Sequence, residues 1–225
     1  MTRAQLRSLL AEYENTAASS ANSGAVRDRA RTDAELIRHR LDAGDFQTGD
    51  QIVLTVEGEP TLTAAFSVEA GPALQLPGIG SIPLAGVLRS ELQDHLRQQL
   101  ARYLRDPVIT ARSSIRILVS GQVTEAGYKL LPTNTVISDV LSYAGGATST
   151  ADIPRIQIER GNEVIWDPAA LQVAIVQGRT LDQMNLRAGD HLVVPVLRES
   201  TMSSVAKYSA VVIPVVLLIA TLAGN

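Results

Sequence analysis

Cysteine is absent from all 225 residues of the sequence. Disulfide bonds, thiolate metal sites and cysteine nucleophiles are therefore excluded. Aromatic residues make up only 4% of the chain and Trp166 is its single tryptophan, so surfaces on which bases or sugars could stack are scarce. The net charge is −3 and the basic residues form no separate patch, which argues against nucleic-acid binding.

Motifs for catalysis or cofactor binding are also lacking. The three histidines, His39, His95 and His191, lie in unrelated segments, and there is no G-x-S-x-G serine and no phosphate loop. A carboxylate pair for glycoside cleavage would meet only in the folded chain. We predict that the protein is not an enzyme and uses no cofactor and no metal.

Two short segments offer weak alternatives to that prediction. Gly78 and Gly80 form half of a dinucleotide fingerprint, but no helix follows them, so a tight turn between strands is favoured. Three aspartates between residues 42 and 50 invite a calcium site, but their spacing does not match a calcium loop and favours a turn.

The N-terminal region predicts two amphipathic helices at residues 2–16 and 25–41, the first capped by Thr2. Their narrow apolar stripes suggest a hairpin, or an arm that lies on a neighbouring molecule. The charged residues form either a solvated face or a partner-binding face. The stripes comprise Leu6, Leu9, Leu10 and Tyr13, and then Val26, Ala30, Ala34, Ile37 and Leu41.

The middle of the chain predicts strands at residues 52–56, 64–68 and 73–76, followed by a helix at 86–104. Leucine recurs every fourth position of that helix, which indicates core packing. After it, two short strand patterns at 107–111 and 115–120 precede a return strand from Tyr128. Thr135 is then the predicted N-cap of a helix at residues 136–144. The leucines are Leu88, Leu92, Leu96, Leu100 and Leu104.

The C-terminal third predicts a hairpin with strands at 155–160 and 163–166, a helix capped by Asp167, and a final strand within 186–196. Pro195 places that last strand at a sheet edge. A Gly-Asp pair precedes an apolar strand both at Gly49-Asp50 and at Gly189-Asp190, which indicates one turn used twice. Trp166 is interpreted as a packing residue or as a platform for a sugar ring.

The last uncharged run, residues 208–223, predicts a membrane-spanning helix. Sixteen helical residues reach about 24 Å, and a start at Val205 with Lys207 snorkelling reaches about 30 Å, the thickness of a bilayer core. The alternative is a helix or strand buried in a soluble core. The run has almost no polar side chains, so it fits a simple anchor better than the wall of a water-filled pore.

Two sequence strings carry a resemblance to a known family. Residues 119–130, VSGQVTEAGYKL, and 135–146, TVISDVLSYAGG, resemble the soluble-ligand-binding β-grasp (SLBB) module of bacterial polysaccharide export proteins. Upstream, GDQIVLTV at 49–56, PGIGSIPLAG at 77–86 and DPV at 106–108 resemble the export domain that precedes the module. The residues that carry these turns are Gly49, Asp50, Gly78, Gly80, Gly121, Gly127, Gly145, Gly146, Gly189 and Asp190.

The resemblance implies an α+β fold in four parts. These are an N-terminal helical arm at residues 1–40, a small β-rich polysaccharide export domain at 41–112, a β-grasp-like SLBB domain at 113–198 and a transmembrane helix at 199–225. The first ten residues are too polar for a signal peptide. The chain would then be cytoplasmic, or its signal was removed or missed, and the resemblance favours the second. The missing cysteine departs from the lipid anchor of many family members.

The function implied by the resemblance is a non-enzymatic conduit for capsular or extracellular polysaccharide. It would form a homo-oligomeric ring in the periplasm and outer membrane, with an inner-membrane polysaccharide co-polymerase as a candidate partner. The alternatives are a membrane-tethered SLBB module that binds a soluble glycan without forming a pore, and a purely structural scaffold. The scarcity of aromatic residues favours the conduit, because a conduit should not hold its polymer tightly.

Overall fold

The structure is a computed structural model that describes residues 1–197; the predicted transmembrane helix at 199–225 lies outside the described residues. Within residues 1–197, no helix is both long enough and apolar enough to cross a bilayer. Helices at the N-terminus precede a mixed region of strands and short helices. The predicted α+β class is therefore confirmed for the described part of the chain.

Two antiparallel helices, α1 (Arg3–Ala18) and α2 (Gly24–Ala43), form the predicted hairpin. Thr2 caps α1 as predicted, since its hydroxyl accepts from the Gln5 N–H and the Gln5 side chain accepts from the Thr2 N–H. Leu6 and Ile37 pack against Leu88, which is fully buried. The apolar stripes are thus covered in part by the protein's own chain. Val26 is an exception, because it is 47% exposed rather than buried.

One sheet organises the rest of the described chain. Its order is β4-β3-β2-β1-β5-β9-β7-β8, and β6 pairs with the second half of β5 on the side opposite β9. All neighbours are antiparallel except β5 and β9, which run parallel. The strands are β1 (Gln51–Val56), β2 (Ala64–Glu69), β3 (Ala73–Leu76), β4 (Gly80–Pro83), β5 (Ile109–Gly121), β6 (Gly127–Pro132), β7 (Gln157–Arg160), β8 (Glu163–Trp166) and β9 (His191–Val194).

Strand β5 corrects the predicted pair of short strands at 107–111 and 115–120. It is a single strand of 13 residues, paired with β1 along its first half and with β6 along its second. The polar run at its centre resembled a break in the sequence. Instead, the buried Ser113 hydroxyl bonds the Thr133 hydroxyl at 2.8 Å, which satisfies both groups within the sheet.

The two halves of β5 contribute to different cores. Ile109 packs in a core formed by β1–β4 and helix α3 (Leu92–Leu100). Ile115, Ile117 and Val119 pack in a second core with the C-terminal strands, α4 (Val140–Tyr143) and α5 (Pro168–Val176). A continuous strand therefore joins the two halves of the sheet.

The helices predicted after the hairpin are present but shorter than expected. The predicted helix at 86–104 is a 3-10 turn, Arg89–Glu91, followed by α3. Its leucine row is buried as predicted, with Leu88, Leu92, Leu96 and Leu100 at most 1% exposed. Asp167 caps α5 as predicted, since its carboxylate accepts from the Ala170 N–H at 2.9 Å.

Two further sequence predictions are wrong. Thr135 is not a helix N-cap, because a 3-10 turn at Ile137–Asp139 precedes α4 and begins after Val136 without a side-chain cap. Pro195 does not mark an edge strand, because β9 lies between β5 and β7. Pro195 follows the last paired residue of β9, where its missing N–H removes no ladder bond.

Candidate functional site

The two Gly-Asp pairs form the same turn at two places in the sheet. Asp50 and Asp190 are each 1% exposed. The Asp50 carboxylate accepts from the Gln47 N–H at 3.0 Å, and the Asp190 carboxylate accepts from the Arg187 N–H at 2.8 Å. Each aspartate side chain thus closes a turn by bonding the N–H of the residue three positions earlier. The strand that follows each aspartate contributes residues to a buried core.

The two turns differ in how they neutralise the buried carboxylate. Arg160 donates two hydrogen bonds to the Asp190 carboxylate, at 2.7 and 2.9 Å. Asp50 has no such partner among the described residues, and its Oδ1 is buried without a hydrogen bond. Burial raises the pKa of Asp50, and the Gln47 N–H and the Arg89 charge oppose that rise only in part.

A buried ion cluster joins the hairpin to both halves of the sheet. Arg40, at the end of α2 and 4% exposed, donates to both carboxylate oxygens of Asp45 and, at 2.6 Å, to Asp182. The Arg89 N–H donates to Asp45 at 2.9 Å, and its guanidinium lies 3.5 Å from Asp182. Arg40 on the hairpin therefore bridges a residue of the first half and a residue of the second.

The charges in this cluster stabilise one another. Burial would raise the pKa of Asp182, but Arg40 and Arg89 hold it below its ordinary value. Burial would likewise lower the pKa of Arg40, but Asp45 and Asp182 raise it. Of the three aspartates for which a calcium site was an alternative, Asp45 belongs to this ion cluster and Asp50 closes its own turn. Asp45 is engaged by the guanidinium of Arg40 and the N–H of Arg89.

A groove runs between the hairpin and the second half of the sheet, where it contains Trp166. One end is a cleft of about 520 Å³ lined by Leu36, Ile37 and Trp166. The other end, of about 560 Å³, is lined by Gln5, Ser8 and Gln177. Both ends share Leu9, Tyr13, Arg179 and Gln183, so the two are adjacent and form one groove whose shared wall includes Tyr13.

The two aromatic residues of the groove are both partly buried. The Trp166 indole N–H donates to the Met184 carbonyl at 3.3 Å, and its ring packs partly against the second core. Burial raises the pKa of the Tyr13 phenol, as does the nearby Asp33 carboxylate, while Arg179 opposes the rise. Trp166 therefore packs and also lines the groove; its role as a sugar contact stays a prediction.

Planar polar groups that can form hydrogen bonds, namely guanidinium and amide groups, surround these rings. Arg29 pairs with Asp33 at 3.3 Å, and the Arg179 guanidinium donates to the Gln177 amide oxygen at 2.7 Å. Amides and guanidinium groups of this kind can bond hydroxyl groups of a ligand while the rings contact its apolar face. Gln183 uses its amide oxygen for the Thr180 N–H, which leaves its NH₂ group for other acceptors.

A polar row on β5, β9 and β7 was not foreseen from the sequence. The Ser120 hydroxyl lies 2.6 Å from His191 Nε2, and His191 Nδ1 lies 3.9 Å from a Glu159 oxygen. A catalytic triad needs the acid to orient the base by a hydrogen bond, which 3.9 Å does not provide. Glu159 instead accepts from Gln157 at 2.6 Å. The only sequence pattern that could have predicted this row is the second Gly-Asp turn, which precedes β9 and positions it beside β5.

The residues predicted to carry family turns do not line the groove. Gly78 and Gly80 lie at the turn between β3 and β4, with no helix after them. Gly121 ends β5 beside β9, and Gly145-Gly146 follow α4. All of these glycines have positive φ, as do Gly49, Gly127 and Gly189. Their roles are therefore in turns, and the groove consists of residues outside the predicted motifs apart from Trp166.

Two family models match the chain in sequence order. A model described as "Polysaccharide biosynthesis/export protein" matches residues 42–114, and an "SLBB domain" model matches residues 116–168. The boundary between them falls within β5.

Two curated relatives, from two bacteria, match part of the chain. An "EPS I polysaccharide export outer membrane protein EpsA" of Ralstonia nicotianae is 31% identical over 153 residues, which cover 64% of this chain and 39% of the relative. The protein of the same name from Ralstonia solanacearum is 32% identical over 133 residues, which cover 56% of this chain and 34% of the relative. The match thus spans well under half the length of these relatives.

Proposed function

We propose that the chain, which belongs to the polysaccharide biosynthesis/export family and has an SLBB region after its export region, is a non-enzymatic component of a polysaccharide secretion apparatus. The order of the two matched regions and the names of the relatives support this proposal. We place the protein in the periplasm and outer membrane on the same grounds.

The four predicted parts of the chain form the basis of this proposal. We retain an arm at 1–40, an export domain at 41–112, a β-grasp-like SLBB domain at 113–198 and a membrane helix at 199–225. Separate buried cores before and after the centre of β5 support the two central parts. The parallel pairing of β5 with β9, flanked by antiparallel strands, supports the β-grasp-like assignment.

We propose that several copies form a closed ring around the path of the polymer. A ring needs subunits of fixed shape, because each contact must repeat at the same angle. The Arg40 cluster is the observation that carries this step, since it locks the hairpin to both halves of the sheet through buried ion pairs. The membrane helix would anchor the ring, and a polysaccharide co-polymerase of the inner membrane would deliver the polymer to it.

A second candidate function is a tethered module that binds a soluble glycan without forming a pore. The groove favours this alternative, because it offers Tyr13 and Trp166 beside amide and guanidinium groups. The groove brings together two of the chain's eight aromatic residues, whereas the exposed Tyr103, Tyr128 and Tyr143 lie outside it. The two functions differ in oligomeric state and in the fate of the polymer.

Deletion of the gene in the source bacterium tests the secretion role. We expect less polysaccharide outside the cell and more retained inside, with recovery when the full chain is restored. A chain ending at residue 198 should fold but fail to restore secretion, because it lacks the predicted anchor. An unchanged amount of every extracellular glycan after deletion would contradict the proposal.

A further inference from the structure

We propose that the groove between the N-terminal hairpin and strand β8 binds a segment of an uncharged polysaccharide. This inference rests on the proposed secretion function and names the class of glycan that the protein contacts. It adds a site built partly from α1 and α2, which precede both matched family regions.

The shape of the groove fits a chain better than a single small molecule. Its two ends, of about 520 and 560 Å³, each lie within the usual size of a ligand pocket. They meet at Tyr13, so a ligand could extend past the ring in both directions. A linear polymer with repeated units is the kind of ligand that such an open groove admits.

The side chains supply both kinds of contact that a sugar ring offers. Tyr13 and Trp166 present apolar ring surface, and the indole is held in one orientation by its bond to the Met184 carbonyl. Gln183 lines both ends of the groove, and its amide oxygen accepts from the Thr180 N–H, so its NH₂ group is left to bond other acceptors. A hydroxyl-rich ligand can therefore bond at the rim while its apolar face lies on the rings.

The balance of charge in the groove decides the class of glycan. Arg29 pairs with Asp33, and Arg160 pairs with the buried Asp190. Arg40 is likewise engaged by the carboxylates of its own cluster. Arg179 forms no ion pair within residues 1–197, but Glu12 and Glu163 line the same groove. With no net excess of positive charge, the groove offers a polyanion little attraction.

Fluorescence of the chain's single tryptophan gives a direct measurement, because Trp166 lies in the groove. The source strain's extracellular polysaccharide would be partly hydrolysed with acid and separated into neutral and acidic oligosaccharides by anion exchange. Each pool would be titrated into the full chain in mild detergent. We expect the neutral pool to change Trp166 emission in a saturable manner and the acidic pool to have an effect at least about tenfold weaker.

Matched variants locate the binding. Tyr13→Leu should weaken binding of the neutral pool about tenfold, because it removes the ring but keeps apolar packing. Tyr103→Leu, at a tyrosine that is 61% exposed and outside the groove, should leave binding unchanged. Gln183→Ala, with Gln98→Ala on α3 as its control, provides a second pair should Tyr13→Leu fold poorly.

The outcomes separate this inference from the secretion role. Preferential binding of the acidic pool, or no response to either pool, would overturn the inference. Equal effects of Tyr13→Leu and Tyr103→Leu would also overturn it. A secretion defect after gene deletion would still support the export function in each of those cases. Normal secretion after deletion, with intact neutral binding, would instead contradict the export function alone.

Discussion

Asp50 and Asp190 show how one turn can hold a carboxylate in two electrostatic settings. Both are buried and both bond a backbone N–H three residues back, but only Asp190 has an arginine partner. We expect Asp190→Asn to lower the free energy of unfolding by about 2–3 kcal/mol, because it breaks a largely buried pair whose Arg160 is partly solvated. Asp50→Asn should change it by less than about 1 kcal/mol. Urea unfolding of both variants at pH 7 measures the difference, and equal losses would contradict this account.

The pKa of Asp50 also predicts how stability depends on pH. Burial raises that pKa above its unfolded value, so the folded chain binds the proton more tightly. The contribution of Asp50 to stability is then fully present below the unfolded pKa and is lost as pH rises through the folded pKa. Asp182 has the opposite sign, because its lowered pKa gives stability above its unfolded value that is lost on acidification.

Unfolding of the wild type and Asp50→Asn across the acidic range isolates the first effect. The variant should gain stability relative to the wild type as pH rises from the ordinary aspartate pKa towards neutral. A difference that stays constant with pH would show that Asp50 titrates alike in the folded and unfolded chains.

Gly121 and Gly146 illustrate two different reasons why a position in the chain requires glycine. Both have positive φ, of 89° and 84°. A Cβ at Gly121 would lie 2.0 Å from the Val194 carbonyl oxygen, whereas a Cβ at Gly146 would meet nothing within 4 Å. We expect Gly146→Ala to cost about 1–2 kcal/mol through backbone strain alone, and Gly121→Ala to cost more than about 3 kcal/mol by separating β5 from β9. Thermal unfolding compares the two, and a similar loss for both would contradict the clash.

At the scale of helices and strands, local sequence patterns predicted much of the fold. The hairpin, the leucine row, the Asp167 cap and the β7–β8 turn all follow from spacings of a few residues. Local spacing also predicts that Gly127→Val and Gly146→Val damage folding more than Glu125→Ala, because the two glycines stand at a turn and at a helix stop.

The features that the sequence did not predict depend on contacts between residues that are far apart in the chain. Arg40 meets Asp182 across 142 positions, and no local pattern encodes that pairing. The continuity of β5 depends on Thr133, which bonds Ser113 from the far end of β6. Strand β9 lies inside the sheet because it pairs in parallel with β5, so the edge position inferred from Pro195 was wrong. Of the groove, only Trp166 was predicted, because its walls come from elements far apart in the sequence.

Helix α2 should depend on Arg40 for its attachment to the sheet. Arg40→Met keeps most of the side-chain length but leaves Asp45 and Asp182 without their shared cation. We expect a loss of about 3–5 kcal/mol and faster hydrogen exchange across both hairpin helices. Arg38→Met, two residues away at an exposed pair with Glu14, is the control and should cost under about 1 kcal/mol. If the two variants exchange alike, the cluster does not hold the hairpin.

At the scale of the whole molecule, the structure changes the argument for assembly. The apolar stripes of the hairpin had suggested a neighbouring molecule, but Leu88 of the same chain packs against Leu6 and Ile37 within them. The exposed face of α2 still carries Arg31 and Arg38, each at least half exposed. Any contact made by the hairpin with another copy would therefore use charged groups rather than the stripe.

The last prediction is that the full chain forms a closed homo-oligomer. In mild detergent at micromolar concentration, light scattering should give a mass that is a multiple of 24.0 kDa. A chain ending at residue 198 should leave the membrane fraction and still associate, because we expect the SLBB region and the hairpin to form the contacts. Removing residues 1–40 would also remove Arg40, so charge reversal is the cleaner change. Arg31→Glu with Arg38→Glu should lower the mass without lowering the thermal midpoint, whereas Arg102→Glu, beyond the end of α3, should not. A full chain that stays monomeric under these conditions would remove the ring and leave the tethered glycan binder.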